Sequence, residues 1–412
     1  TARNKGLVAA FENLLGVEVV VSPLCHQMGA YGAALLAVES LGQRDWPSSS
    51  FRGLDLARRN VALERSTCEL CTNVCTITTA QIEGERETPS WGYLCGRDPQ
   101  ESRMRRPDGL KPLQARAKAW RRRRAPEPPA GAPVIGIPRA LGTWDLYPLW
   151  RTFLETLGFR VKLSRSTNAE IAAEGVKLSG SDYCFPMKLA HGHAVDLLRD
   201  ESVDHVFLPF VIQEKFDPEI TTAAHLCPLN IAQTATIRAA CAGAGIDSSR
   251  LVAPPVDMQW PDGRMVRELH EVIGKPLGVS AREVRAAWQQ ATSALDDFRR
   301  ECREIGEAAL AELNRTGGQA LVLLGRGYNL YDEGANVALP RKVAEQGWTV
   351  LPLDVLPLPE DSLGPGLRNM FWWSGRRILE GARFVRDDAR LHAMFFTNFS
   401  CGPDSFVLTY ME

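Results

Sequence analysis

Short apolar runs, each followed by a stretch with helical spacing of apolar residues, recur from residue 134 to the end of the chain. The first series predicts strands at 134–138, 159–163, 205–209 and 250–254, and helices at 143–158, 168–178, 185–198 and 231–245. The second series predicts strands at 320–325, 348–353 and 393–399, and helices at 336–347 and 366–382. One long charged helix, 280–315, lies between them. This order predicts an α/β fold with two doubly wound parallel-sheet units, Rossmann- or flavodoxin-like, joined by a long helix.

The first 42 residues follow a different pattern. Helical spacing covers 4–15, the β-branched run VEVVV at 17–21 predicts a strand, and 28–42 predicts a helix rich in small residues. These three elements are too few to fold alone, so we expect 1–42 to be the end of a larger domain.

The intervening residues divide by composition. The expected domains are 1–42, a connector at 43–66, a Cys-rich unit at 67–97, a basic and Pro-rich linker at 98–131, α/β units at 132–279 and 317–412, and the long helix at 280–316. The stretch 97–125 ends in WRRRR and is interpreted as a solvated linker or an exposed helix face. Nucleic-acid binding is the alternative, but no aromatic interleaving supports it.

The overall composition limits the class of protein to which this chain can belong. The chain has 412 residues, 24% charged residues and a net charge of −1, which gives no whole-chain field for nucleic acid. The sequence contains no 18-residue apolar run and no signal-peptide pattern, so we expect a cytoplasmic protein without a membrane partner. In that compartment the thiols stay reduced and can bind metal.

Four of the ten cysteines form one closely spaced set. Cys68, Cys71 and Cys75 lie within eight residues, and Cys95 follows a predicted strand at 76–82 and a turn. Three close cysteines and a remote fourth favour a [4Fe–4S] cluster. A structural zinc site and unligated thiols remain the alternatives.

Three other cysteines fall where parallel sheets bind ligands, at the carboxyl ends of strands. Cys184 precedes a predicted helix, Cys227 follows the strand at 205–209, and Cys401 follows the strand at 393–399. Spacing alone does not distinguish a shared cluster from three unrelated buried thiols. Cys241 and Cys302 lie within helices and Cys25 is isolated, so we interpret all three as packing residues.

Several polar residues near these cysteines are candidates for catalysis or binding. His191 and His193 point to different helix faces, and His191 is either a hydrogen-bond donor to a cluster or acyl group or a satisfied helix residue. Lys188 and Arg139 either bind CoA phosphates or pair with Asp182 and Asp145. Ser400 is a candidate donor to a cluster sulfur, and the GRG turn at 325–327 is a weak phosphate-binding signal.

Several strings resemble one family. GIPRALGTWDLYPLWRTFLETLGF, CFPMKLAHGH, VDHVFLP, LLGRGYNLYDEGAN and TNFSCGPDSF, all within 132–412, are similar to the large acyl-CoA dehydratase activase proteins. That family is related to 2-hydroxyacyl-CoA dehydratases and to double-cubane cluster proteins. The start of the chain is similar to the last segment of the family's ATPase domain, of the acetate-and-sugar-kinase fold.

The resemblance implies that Cys184, Cys227 and Cys401 hold a [4Fe–4S] cluster or half of a double cubane. It also favours iron–sulfur for the four-cysteine set. The implied activity is ATP-dependent electron transfer at low potential, with or as a dehydratase-like enzyme. Alternatives are a non-catalytic electron relay or scaffold, and a double-cubane-type reductase of small molecules. Implied partners are the upstream ATPase domain, a ferredoxin-like donor, acyl-CoA and a second copy of the chain in a homodimer.

The same resemblance predicts missing parts. The family's phosphate loops precede the position of Asn4, so this chain alone is expected not to hydrolyse ATP. The family also continues past Glu412, so the chain is expected to be truncated at both ends.

Overall fold

The computed structural model describes residues 2–42, 56, 58–68, 75–93, 109, 111–359 and 363–411. These residues fall into two compact units, one within 1–65 and 78–90 and the other within 66–77 and 91–412.

The N-terminal unit begins with two helices, α1 (Lys5–Leu15) and α2 (Met28–Gly42), and both helix predictions are confirmed. Asn4 starts α1 by accepting hydrogen bonds from the main-chain N–H groups of Gly6 and Leu7. Gly16 ends it in the left-handed conformation. The predicted strand at 17–21 is wrong: no described strand pairs with these residues, and a β-branched run without a partner does not make a sheet.

A small sheet follows. Its strands, in the order β1-β2-β3, are β1 (Val61–Thr67), β2 (Thr76–Ile82) and β3 (Ser90–Trp91). The strand predicted at 76–82 is confirmed, whereas β1 lies where the sequence indicated a connector.

The first parallel sheet has four strands in the order β5-β4-β6-β8. They are β4 (Val134–Ile137), β5 (Arg160–Leu163), β6 (His205–Phe207) and β8 (Leu251–Val252). The helices of this series are α4 (Thr143–Thr156), α5 (Ala169–Leu178), α6 (Phe185–Leu198) and α7 (Pro228–Gly243). A short parallel pair, β7 (Phe210–Val211) and β9 (Pro255–Val256), extends beyond this sheet.

A helical segment then leads to the second sheet. It comprises α8 (Asp262–Leu269), a π-helical turn (His270–Gly274), α9 (Lys275–Leu277) and the long α10 (Ala281–Thr316). Ser280 and Glu283 form a reciprocal capping box at the start of α10, and Gly317 ends it. Both ends agree with the sequence-based prediction within one residue.

The second parallel sheet has the order β11-β10-β12, again with the first strand of its series in the centre. The remaining elements are β10 (Ala320–Gly325), α11 (Gly327–Tyr331), α12 (Leu339–Glu345), β11 (Thr349–Pro352), α13 (Trp373–Arg386), β12 (Leu391–Phe396) and α14 (Gly402–Met411). α13 begins seven residues later than predicted, because the main chain just before it, at Phe371 and Trp372, pairs with His225 in a parallel bridge. The α/β class with parallel sheets is confirmed.

The basic stretch does not behave as a solvated segment throughout. Residues Lys111–Arg121 form α3, in which Arg116 and Trp120 are only 1% and 2% exposed. Arg116 donates to Asp354 and to the carbonyl of Trp144, both at 2.9 Å, and lies 3.6 Å from the centre of the Tyr331 ring. This helix is therefore part of the core. None of the helices in the described ranges is long and apolar enough to cross a membrane.

Candidate functional site

Three cysteines occupy the same kind of position, immediately before a helix. Cys184 precedes α6, Cys227 precedes α7 and Cys401 precedes α14. Proline follows within the first two helical positions of α6, α7 and α14, where its missing N–H is not needed. The main-chain N–H groups at a helix start remain unsatisfied and favour negative charge. All three thiols therefore lie where a helix stabilises a thiolate or an anionic group.

Each of these thiols lies near Arg326 or Tyr328, two residues of the turn after β10. Cys184 and Cys227 interact electrostatically with each other and with Tyr328, and Cys184 also packs in the same buried cluster as Tyr328. Cys401 and Cys184 both interact with the Arg326 guanidinium. The structure thus brings loops of the first and second sheets to one place.

Burial determines the protonation of these thiols. It raises the pKa of Cys184, and together with the nearby Asp404 carboxylate it raises the pKa of Cys401 to about 12. Arg326 opposes both shifts. Without a metal these two cysteines are protonated at neutral pH, so binding a metal group releases protons.

A buried ion pair supports the site. Arg326 Nε donates to Asp404 Oδ1 at 2.9 Å, and Thr397 Oγ1 donates to Asp404 Oδ2 at 2.9 Å. The side chains of Arg326 and Asp404 are 3% and 0% exposed. Arg326 Nη2 lies 2.8 Å from Asp404 Oδ1 but is a buried atom without a hydrogen bond. The Asp404 carboxylate is thus the anionic partner of this guanidinium.

Backbone geometry explains the glycine at the end of β10. Gly325 has φ of 158°, and a Cβ there would lie 2.8 Å from the carbonyl oxygen of Phe396. Only glycine allows this close approach of β10 and β12, which in turn sets the position of Arg326.

Main-chain contacts fix the loops that hold the cysteines. The N–H of His225 donates to the carbonyl of Phe371 at 2.8 Å, and the N–H of Trp373 donates to the carbonyl of His225 at 3.0 Å. The loop that carries Cys227 is therefore bonded to the segment at the start of α13, in the α/β unit that contains the second sheet. Cys184 is positioned by α6. A Cβ on Gly192, within α6, would lie 2.1 Å from the carbonyl oxygen of Ile171, so α5 and α6 touch through their backbones. This contact sets the position of α6 and of Cys184 at its start.

The other predicted site residues have well-defined partners. His191 Nδ1 lies 2.8 Å from the carbonyl oxygen of Met187, and the ring has a second main-chain bond at Thr236, which favours a structural role. Lys188 donates to Asp182 at 3.2 Å, the pairing that the sequence offered as the alternative to phosphate binding. Ser400 is exposed and has a left-handed backbone with φ of 67°. Arg139 Nε donates to the carbonyl of Ser164 at 2.7 Å and not to Asp145.

His193 lies in a buried polar network that links the α/β unit of the first sheet to that of the second sheet. Its Nδ1 lies 2.9 Å from Ser164 Oγ, and its Nε2 lies 2.9 Å from Thr167 Oγ1. Thr167 Oγ1 in turn lies 2.6 Å from Asp332 Oδ2, beyond α11. Burial lowers the pKa of His193 to about 4, with Arg139 contributing in the same direction.

We expect acid to destabilise the protein through His193. An unfolded histidine binds a proton below about pH 6.5, whereas the folded residue stays neutral down to about pH 4, so stability decreases as the pH falls through this range. The loss attributed to this residue is about 3 kcal/mol. Urea unfolding between pH 7 and 4 measures this loss.

Two variants test the assignment to His193. His193→Asn should be less stable at pH 7 but show a flatter dependence of stability on pH, while the exposed His392→Gln should retain the original slope. Equal slopes in all three proteins would contradict this role.

The four-cysteine set is described only in part. Cys71 and Cys95 lie outside the described residues. The N–H of Cys68 donates to the carbonyl of Cys75 at 2.8 Å, which places these two residues opposite each other at the ends of β1 and β2. Throughout the described ranges, no group of three or more His, Cys, Asp or Glu side chains is arranged to hold a metal ion. Cys241 and Cys302 are buried in the core, as packing residues would be, and Cys25 is partly buried.

Sequence reasoning missed three residues of the site, Tyr328, Asp404 and the ion-pairing role of Arg326. Tyr328 and Arg326 belong to LLGRGYNLYDEGAN and Asp404 to TNFSCGPDSF, but neither string shows that they meet. The only signal was a charged residue between two glycines directly after an apolar strand.

Comparison with known proteins supplies one match. Residues 134–356, more than half of the chain, match the family described as the CoA enzyme activase uncharacterised domain, DUF2229. No curated protein and no solved structure gives a significant match. The matched range contains Cys184, Cys227, Arg326 and Tyr328, while Cys401 lies beyond it. By this match, the chain belongs to the CoA enzyme activase family defined by that domain.

Proposed function

We propose that this chain is the electron-transferring part of an ATP-dependent CoA enzyme activase, and that Cys184, Cys227 and Cys401 hold a [4Fe–4S] cluster. The observation that supports this most strongly is that three thiols at helix starts lie near one turn: Cys184 and Cys227 near Tyr328, and Cys184 and Cys401 near Arg326. Membership of the CoA enzyme activase family supports the activase-like role.

The donor set fits an iron–sulfur cluster better than a single ion. The thiolate sulfurs that bind one cubane lie about 6–7 Å apart, which is further than the ligands of a single metal ion. Cysteines that are too far apart to share one ion can therefore still bind one cluster. A thiolate-bound cluster is anionic, and the three helix starts supply complementary partial positive charge. The Tyr328 hydroxyl lies among the same groups as a further donor.

When bound, the cluster would supply one-electron transfer at low potential. The chain's own residues position the thiols, exclude water through burial of Cys184 and Tyr328, and place the Arg326 charge beside the ligands. In this proposal the ATPase domain of the complete system drives transfer from a ferredoxin-like donor. The acceptor is a CoA-linked substrate of a dehydratase-like enzyme.

The four-cysteine set is proposed as a second centre that relays electrons. The pairing of Cys68 with Cys75 across β1 and β2 brings two of its four members together. Four cysteine ligands would complete the coordination of a cluster, which suits a relay and leaves the three-cysteine centre for reaction. Zinc remains the alternative occupant, and metal analysis decides between them.

Serine substitutions test the three-cysteine centre. After anaerobic reconstitution, Cys184→Ser, Cys227→Ser and Cys401→Ser should each lose about four iron and four sulfide per chain, the content of one cubane. The matched control is Cys241→Ser, a buried thiol within α7, which should keep the full content. Full iron in all three variants, or a reconstituted protein that contains zinc and no iron, would refute the proposal.

A further inference from the structure

A cavity of about 270 Å³ lies beside the turn after β10. It is bounded by α4, α10, α13, the end of β10 and the segment Leu353–Leu358. Its apolar wall consists of Phe298, Leu330, Leu353, Leu356, Leu358 and Trp373. The carboxyl end of a parallel strand is the usual place for a ligand in this fold class. The size suits a small molecule, and the wall suits an apolar chain.

One carboxylate in this cavity has no partner. Within the described residues, neither a hydrogen bond nor an ion pair reaches the side chain of Asp145, which is half-buried in the cavity wall. The carboxylate packs against the backbone of Gly327, where a Cβ would lie 2.4 Å from Asp145 Oδ1. A buried carboxyl without donors favours its protonated form, and burial raises the pKa of Asp145 to about 7.

One arginine that lines the cavity forms no ion pair with another described residue. Three of the four arginines that line the cavity already have carboxylate partners: Arg299 donates to Glu214 at 2.9 Å, Arg377 to Glu380 at 3.1 Å and Arg326 to Asp404 at 2.9 Å. Arg303, one turn after Arg299 on α10, lines the cavity and is exposed. In the part of the chain that the structure describes, no ion pair is formed by Arg303. Its guanidinium remains able to bind an anion at the cavity edge.

We propose that this cavity binds a short organic anion, whose carboxylate or phosphate pairs with Arg303 and whose apolar chain lies against the leucine wall beside Asp145. The chain displaces water from Asp145, and the anionic end adds negative charge to the cavity. Both effects favour the protonated carboxyl. The ligand therefore binds together with a proton. None of the three cysteines lines this cavity, although Arg326 belongs to both places, and the test does not depend on a metal cluster.

The coupling to pH is assigned to Asp145 because its carboxyl group lines the cavity beside the proposed ligand. The charged groups that face it from the surrounding elements are Arg116, Asp354, Glu214 and Arg299. None of them is a histidine. The Cys302 thiol also lines the cavity, and burial raises its pKa further above the physiological range.

Calorimetric titration of the full chain tests the site with three probes: hexanoate, hexyl phosphate and hexan-1-ol. Both anions should saturate one site, with the alcohol at least about tenfold weaker because it has no charge for Arg303. Arg303→Gln should remove the advantage of the anions. The matched control, Arg300→Gln, changes an exposed arginine on the same helix that pairs with Asp297, and should bind like the parent protein. The better of the two anions identifies the natural head group, and either preference supports the site.

The proton is tested by titrating hexanoate at pH 6 and pH 8, because hexanoate stays ionised over this range whereas a phosphate monoester loses its second proton within it. Anion affinity should fall about tenfold over this range, since about nine-tenths of a carboxyl with a pKa near 7 is protonated at pH 6 and about one-tenth at pH 8. Asp145→Asn, whose amide resembles the protonated carboxyl, should bind equally at both pH values. Absence of saturable binding, an alcohol as tight as the anions, or an unchanged pH dependence in Asp145→Asn would each overturn the proposal.

Discussion

Replacing Arg326 by methionine is expected to lower the free energy of unfolding by about 3 to 5 kcal/mol. The change leaves the Asp404 carboxylate, which is 0% exposed, without its cation in a site that water does not reach. Urea unfolding of the metal-free protein measures the effect. The double variant Arg326→Met with Asp404→Leu should recover most of the loss, because it removes the second charge as well.

An exposed ion pair on the same molecule provides the control. Arg300 and Asp297 are both well exposed, so Arg300→Gln should change stability by less than about 1 kcal/mol. If Arg326→Met were as mild as this control, the pair could not be the buried anchor of the cysteine loops. If the double variant were no better than the single one, the loss would come from packing and not from an unpaired charge.

Trp120→Ala is expected to cost about 3 to 5 kcal/mol of stability. The indole is 2% exposed, stacks on Trp144 at 5.0 Å between ring centres and lies 4.5 Å from the Tyr147 ring. Removing it opens a void between α3 and α4 that neighbouring side chains cannot fill completely. Denaturant unfolding gives the magnitude.

Lys118→Ala, on the exposed side of the same helix, should stay within about 0.5 kcal/mol of the parent protein. A similar result for Trp120→Ala would mean that α3 is a detachable segment, as its charge suggested. A large difference between the two would show that this basic helix is an integral part of the core.

Local signals were sufficient for the elements that repeat a strong pattern. The bounds of α6 and β10 were predicted to the residue, because a proline-led helix start and an apolar run before Gly325 have few other interpretations. The long helix α10 was predicted within one residue at each end, and capping residues mark both of its ends.

The misses occurred where distant contacts decide the structure. Val17–Val21 has strand-forming residues but finds no partner strand among those described. α3 is rich in arginine, yet Arg116 is buried because Asp354 and the Tyr331 ring, far along the chain, stabilise its charge. The three cysteines could be named from the sequence as candidate ligands, but Tyr328 and Asp404 became visible only when the fold placed them near these thiols.

The strand order of the second sheet also affects how the chain emerges from the ribosome. The central strand β10 pairs along its whole length, Ala320–Gly325, with the last strand, Leu391–Phe396. At about 5–20 residues per second, the second of these segments is synthesised about 4 to 14 s after the first. During that interval an almost entirely apolar strand has one open edge of N–H and C=O groups, which is where newly made chains associate with one another. The speed of translation between the two strands therefore sets how long nascent chains remain prone to aggregate.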